Sequence, residues 1–272
     1  MKSLGKSRRM ARLFDPKSNN TVIVPMDHGV EGYFRELQSP EKLIASLANA
    51  GVNGFLTRPG LAHFASSALG GAGWVQRLTG RCGIGVAVNP KNDLNQLTLH
   101  DAEQALRNGA DAVVPTYFFG GDFEDRDLPL FGKIADTCSA WGLPLMGEVF
   151  PVGADDAEPY NGPYTIEDMR VAVRTASEMG ADMIKTWYSG SEKSFKKIVD
   201  YSLVPILIAG GPKAEKPSDV LEMVKGAMDA GARGTTVGRK IWQSKKPAAM
   251  AHAVSMIVHE GADVSSALKV LN

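Results

Sequence analysis

The stretch IEDMRVAVRTASEMGADMIKT, residues 166–186, contains one complete repeat of an alternating architecture. Its first part, 166–179, carries Met169, Ala172, Val173 and Ala176 at the spacing of one helix face. Gly180-Ala181 then closes the helix and turns the chain back. The run that follows, 182–186, has the length and apolar character of a buried strand, ends on Lys185-Thr186, and opens into Trp187-Tyr188.

The same unit recurs along the whole chain. Strand-like runs occupy 21–26, 53–57, 83–88, 112–116, 144–149, 182–186, 205–209 and 234–237, and helical spacing occupies 40–50, 99–108, 166–179, 217–230 and 247–259. Gly51-Val52, Gly109-Ala110 and Gly231-Ala232 repeat the Gly180-Ala181 punctuation. Continuous apolar strands alternating with amphipathic helices imply a parallel sheet covered on both faces. Eight such units predict an α/β fold, a single (β/α)8 TIM barrel over residues 1–272 with a short basic N-terminal arm and C-terminal helices. A doubly wound open sheet would place a glycine-rich fingerprint after the first strand, where Asp27-His28-Gly29 stands instead.

Composition narrows the function. Lysine plus arginine balance aspartate plus glutamate at 30 each, so overall charge favours neither nucleic acid nor an acidic membrane surface. Lys2, Lys6, Arg8, Arg9 and Arg12 crowd the N-terminus, and a solvated, partly helical arm accounts for them. No apolar segment follows that would make a secretory signal, and no run approaches the roughly 20 residues of a membrane span. Cys82 and Cys138 lack metal-ligand spacing and are expected to be reduced and buried, which fits the cytoplasm. His28, His63, His100, His252 and His259 show no ligand spacing either, so neither a metal nor another cofactor is expected.

In a barrel of this kind the chemistry sits where strands end. Asp27 and His28 follow the first strand, Glu148 ends the fifth and Lys185 ends the sixth. A lysine among hydrophobic residues costs free energy unless it is neutral or paired, and a neutral amine is the group that attacks a ketone to form a Schiff base. Glu148 faces the mouth in one strand register and the helices in the other. Gly210-Gly211-Pro212-Lys213 and Gly238-Arg239 follow the seventh and eighth strands, where barrels bind phosphate through backbone N–H groups and an arginine fork. Tyr188, beside Lys185, is a candidate to line a substrate.

Taken together, Met26-Asp27-His28-Gly29, Gly180 to Thr186, Ile208 to Lys213 and Val237 to Gln243 resemble the class I aldolases that include deoxyribose-phosphate aldolase and the archaeal-type fructose-bisphosphate aldolases. That group also holds an aminodideoxyheptulosonate synthase and a thiolase acting on a phosphorylated autoinducer. The resemblance implies Lys185 as the Schiff-base lysine, Asp27 and His28 at the mouth, and Gly210, Gly211, Gly238 and Arg239 around a phosphate. It implies a small phosphorylated ketone or sugar as substrate and a homo-oligomer, commonly a decamer. One departure stands out: the fructose-bisphosphate aldolases carry a tyrosine acid after strand five, where this chain has Phe150. Glu148 or a water would then move the proton, or the reaction is a thiolase-type or transaldol-type transfer on the same scaffold. A non-catalytic phosphosugar sensor is the alternative outside enzymes.

Overall fold

The computed structural model describes residues 3–84, 94–152, 164–211 and 216–271. Its centre is a closed parallel barrel. The strands are β1 (Thr21–Pro25), β2 (Gly54–Thr57), β3 (Gly73–Arg77), β4 (Ala112–Val114 and Thr116–Phe119), β5 (Met146–Pro151), β6 (Met183–Thr186), β7 (Ile206–Ala209) and β8 (Gly234–Thr236). Each strand pairs with the next, and β8 returns to β1 through Thr21 opposite Gly234. Pro115 has no N–H to give to a ladder and divides β4 into two pieces. The first piece pairs with β3 and the second with β5, and a bridge between Val113 and Leu145 completes the circle.

Two cores hold this arrangement. Inside the barrel, Ile23, Leu56, Val75, Val114, Met146, Met183 and Leu207 project inward, one from each of seven strands, and fill the lower half. Outside it, the apolar helix faces pack on the opposite faces of the same strands. The helix Ile166–Glu178 shows how local sequence sets this up. Thr165 accepts a hydrogen bond from the Asp168 backbone while the Asp168 carboxylate accepts one from the Thr165 N–H, a capping box that fixes its start. Met169, Ala172, Val173 and Ala176 are then its buried stripe.

Three sequence expectations need correction. The third strand is Gly73–Arg77, ten residues before the run expected at 83–88; Gly83 and Ile84 are helical and the rest of that run lies outside the described residues. The basic arm is a helix, Leu4–Leu13, docked under the barrel, since Leu13 and Phe14 complete the inner core there. Lys6 pairs with Asp182 at 2.7 Å and Arg12 with Asp111 at 2.9 Å, so these charges anchor the helix rather than float in solvent. Of the two cysteines only Cys138 is buried; Cys82 is exposed, because it belongs to the loop after β3 and not to a strand. Among the described residues no helix is long and apolar enough to cross a membrane.

Candidate active site

The upper half of the barrel interior is polar. Strand pairing places Glu148 directly opposite Thr116 on one side and Lys185 on the other. All three point inward, so the register is the one that turns Glu148 to the mouth. Lys185 Nζ touches Glu148 Oε1. Glu148 Oε2 accepts from Thr116 Oγ1 at 2.5 Å and from Arg77 Nη1, which also reaches Thr116. Arg77 Nε in turn donates to Asp27 Oδ2 at 2.6 Å. The result is a continuous line of charges from β1 across β3 and β5 to β6.

Electrostatics explains why such a line survives burial. Asp27, Arg77, Glu148 and Lys185 are each under a tenth exposed, and their two positive and two negative charges cancel. Burial alone would raise the Glu148 carboxyl, but the charges of Arg77 and Lys185 outweigh it and lower it from 4.5 to about 2. Burial opposes ionisation of Asp27 in the same way, and Arg77, His28 and Lys185 hold it well below the usual carboxylate range. For Arg77, burial is outweighed by Glu148 and Asp27, which raise its proton affinity. Sequence reasoning left Lys185 either neutral or paired; the structure pairs it.

These shifts set a pH dependence with a definite sign. A carboxyl depressed in the fold binds fewer protons than it does unfolded, so its contribution to stability is complete above the unfolded value and is lost as pH falls through the folded one. Stability measured by urea midpoint is expected to decline from about pH 4.5 down to about 2, with Glu148→Gln showing a shallower slope across that window. A midpoint that rises over the same interval would contradict the paired arrangement.

His28 sits beside this line without joining it. Its Nδ1 is 3.6 Å from Asp27 Oδ1, beyond a hydrogen bond, and its ring meets Trp242 and Phe34 edge-on. Burial first, then Arg239, Lys185 and Arg77, lower its pKa to about 4 against the opposing pull of Asp27. The imidazole is therefore neutral near pH 7.

Above these residues opens a cavity of about 970 Å³. Gly210, Gly211, Gly238 and Arg239 form its wall at β7 and β8. Gly238 admits no side chain, because a Cβ there would lie 2.6 Å from the Pro25 carbonyl oxygen and 3.2 Å from His28. Pro212 and Lys213 lie outside the described residues. Among the described residues nine lysines and arginines line the cavity against three carboxylates, so their field favours anions.

Aromatic residues finish the wall near Lys185. Phe150 stacks on Trp187 at 4.3 Å, and Tyr164 stacks on Trp187 at 5.4 Å. Phe150 and Trp187 face the cavity. Tyr188 does not: its hydroxyl abuts Gly226 and its ring meets Phe195, both on outer helices. Side chains alternate along extended backbone, so Lys185 and Trp187 point in while Thr186 and Tyr188 point out. Among the described residues no three His, Cys, Asp or Glu side chains converge as metal ligands.

Sequence reasoning missed Arg77 and Thr116, the two residues that tie the carboxylates together. The signal for Arg77 was present. Gly71-Ala72 precedes Gly73 just as Gly180-Ala181 precedes β6, and it marks β3 at its true position.

Comparison with known proteins follows the same residues. The model of the DeoC/LacD family aldolases matches residues 21–244. The chain is 33% identical to the 2-amino-3,7-dideoxy-D-threo-hept-6-ulosonate synthase of Halobacterium salinarum, over 98% of this chain and 97% of that one. It is 29% identical to the 2-amino-4,5-dihydroxy-6-oxo-7-(phosphonooxy)heptanoate synthase of Streptomyces griseus, over 93% and 90%. Among solved structures, an archaeal fructose-1,6-bisphosphate aldolase, with its catalytic lysine covalently bound to the carbinolamine intermediate, superimposes with a TM-score of 0.78 and 27% identity, covering 93% of this chain and 99% of that one. The matched segment runs from the first residue of β1 past the helix Arg239–Trp242 and includes every charge of the polar line, and the chain belongs to the DeoC/LacD family of aldolases.

Proposed function

We propose that the protein is a class I aldolase in which Lys185 forms a Schiff base with a small phosphorylated ketone or ketose. The observation that carries this reading is the contact between the buried Lys185 amine and Glu148 at the floor of a cation-lined cavity. Glu148 takes a proton from the lysine, and the freed amine attacks the substrate carbonyl carbon. Glu148 returns that proton to the carbinolamine hydroxyl, which leaves as water to give an iminium, a sink for the electron pair of the adjacent C–C bond, and Glu148 is ionised again. In cleavage, a base takes the proton of the substrate hydroxyl as the aldehyde departs, and the remaining enamine is protonated at carbon before hydrolysis releases the ketone. Glu148 and Asp27 are the ionised bases at hand, with neutral His28 beside them. A phosphate held at Gly211, Gly238 and Arg239 would fix the carbonyl over Lys185, trading binding energy for orientation.

Enamine formation is testable without knowing the natural aldehyde. Dihydroxyacetone phosphate incubated with the protein in heavy water is expected to take up one deuterium at the carbon that becomes the enamine, and Glu148→Gln to slow the exchange by about 10²-fold or more. Absence of exchange with dihydroxyacetone phosphate and with fructose 1,6-bisphosphate would count against the reading. Phe150 favours a second one, transfer of the enamine fragment or an acyl group to a thiol or second carbonyl, because it has no phenol with which to donate a proton. Turnover that requires such an acceptor would select it.

A further inference from the structure

Above the polar line, three neighbouring strands turn from charged to aromatic. β4 and β5 keep their register past Thr116 and Glu148, so Phe118 lies opposite Phe150. The two rings meet at 5.9 Å, and Trp187, two residues beyond Lys185, stacks on Phe150 at 4.3 Å. Side chains two apart on extended backbone share a face, so the three rings stand directly over Thr116, Glu148 and Lys185 and line the cavity. Phe118, Phe150 and Ala209 form an apolar cluster of their own, separate from both barrel cores, with Leu94, Val152 and Trp187 packed against it.

The cavity is therefore divided. Among the described residues, Lys185 is the one lysine or arginine that β4 to β6 contribute to it; the other eight lie on or after β2, β3, β7 and β8. Above Glu148 and Lys185, the one polar side-chain group among the three rings is the Trp187 indole N–H. Such a wall gives a hydroxyl no partner in exchange for its water, whereas a hydrocarbon chain gains by leaving water.

Strand order says which part of the substrate meets this wall. The groups proposed to hold the phosphate lie after β7 and β8, Lys185 is on β6, and Phe150 and Phe118 follow on β5 and β4. A chain anchored by its phosphate and joined by its carbonyl to Lys185 continues past Glu148 toward these two rings. With the phosphate carbon numbered one and the ketone carbon two, cleavage breaks the bond between carbons three and four. The carbon-four hydroxyl gives its proton to a base of the polar line and so has a partner. The carbons beyond it reach the aromatic wall.

We infer that the substrate beyond carbon four is hydrocarbon, and that Phe118, Phe150 and Trp187 set this specificity. The aldehyde released or taken up is then a short alkyl aldehyde rather than a hydroxylated one. This specifies the substrate class of the proposed aldolase and rests on that reading.

Titration calorimetry tests it with fructose 1-phosphate and 5,6-dideoxyfructose 1-phosphate, which differ only in the two hydroxyls beyond carbon four. Full-length Lys185→Met prevents turnover during the titration, and each affinity is referred to the open-chain fraction read by carbon-13 NMR. The dideoxy probe is expected to bind about tenfold more tightly or better. Phe118→Tyr or Phe150→Tyr, added singly, gives the wall a hydroxyl, and at least one is expected to narrow that advantage about fivefold. Equal affinities, tighter binding of fructose 1-phosphate, no binding of either probe, or an advantage undiminished in both folded tyrosine variants overturns the inference. The comparison without the tyrosine variants decides even where they do not fold. Borohydride trapping of the dideoxy probe on Lys185 of the wild-type protein separates the two readings. An adduct without the preference retains the Schiff base and refutes the hydrocarbon specificity; the preference without an adduct retains the specificity and refutes the Schiff base.

Discussion

Arg77→Met is expected to lower stability by about 3–5 kcal/mol at pH 7, the range for removing one partner from a buried ion pair. The size follows from what is left behind. Arg77 bonds Asp27, Thr116 and Glu148 together, and without it two buried carboxylates face each other with Lys185 as their remaining cation in the line. Part of the loss should be recoverable by acid. Carboxyls no longer held down by Arg77 protonate at higher pH than before, so the deficit of the variant relative to wild type should shrink as pH falls from 7 toward 4. Urea unfolding at several pH values reads both quantities. A deficit below about 1 kcal/mol, the level of an exposed pair, or one independent of pH, would mean that Arg77 does not hold the line together. Arg77→Lys should recover little, because an ammonium cannot reproduce the planar fork that reaches β1 and β5 at once. Turnover should fall alongside, since Glu148 then lacks the bond that aims it at Lys185, which makes Arg77 a positioning residue.

Lys185→Met should abolish turnover, by ~10⁴-fold or more, on the scale seen when a covalent nucleophile is removed. Methionine fills nearly the same volume, and Glu148 retains Arg77 and Thr116 as partners. The fold should therefore survive with a much smaller stability loss than Arg77→Met, and thermal unfolding is the control. Binding of phosphorylated ketose should persist, because the groups proposed to hold the phosphate lie on β7 and β8. Substantial turnover from a well-folded Lys185→Met would remove the lysine from the mechanism.

The barrel was legible because its units repeat. Glycine pairs before the strands and apolar runs ending in polar residues place β1, β2 and β4 to β8 within a few residues. Strand ends then carry Asp27 and Lys185 to one mouth, whereas Glu148 lies inside β5 rather than at its end and needed the strand register as well. β3 was less legible for a physical reason. Its sequence, Gly73-Trp74-Val75-Gln76-Arg77, ends on polar residues needed at the mouth, whereas 83–88 is more uniformly apolar. The strand that carries Arg77 into the polar line thus looked least like a strand. Tyr188 shows the opposite limit: adjacency to Lys185 in sequence puts it on the other side of the sheet.

The central claim is that the Lys185 amine becomes covalently joined to a ketone. Borohydride reduction in the presence of dihydroxyacetone phosphate, fructose 1,6-bisphosphate and 2-deoxyribose 5-phosphate in parallel, followed by peptide mass spectrometry, tests it most directly. The expected result is a reduced adduct on the peptide containing Lys185 and on no other lysine, absent from Lys185→Met. Protein that binds these compounds yet yields no adduct, or yields one only on a different lysine, would contradict the Schiff-base account.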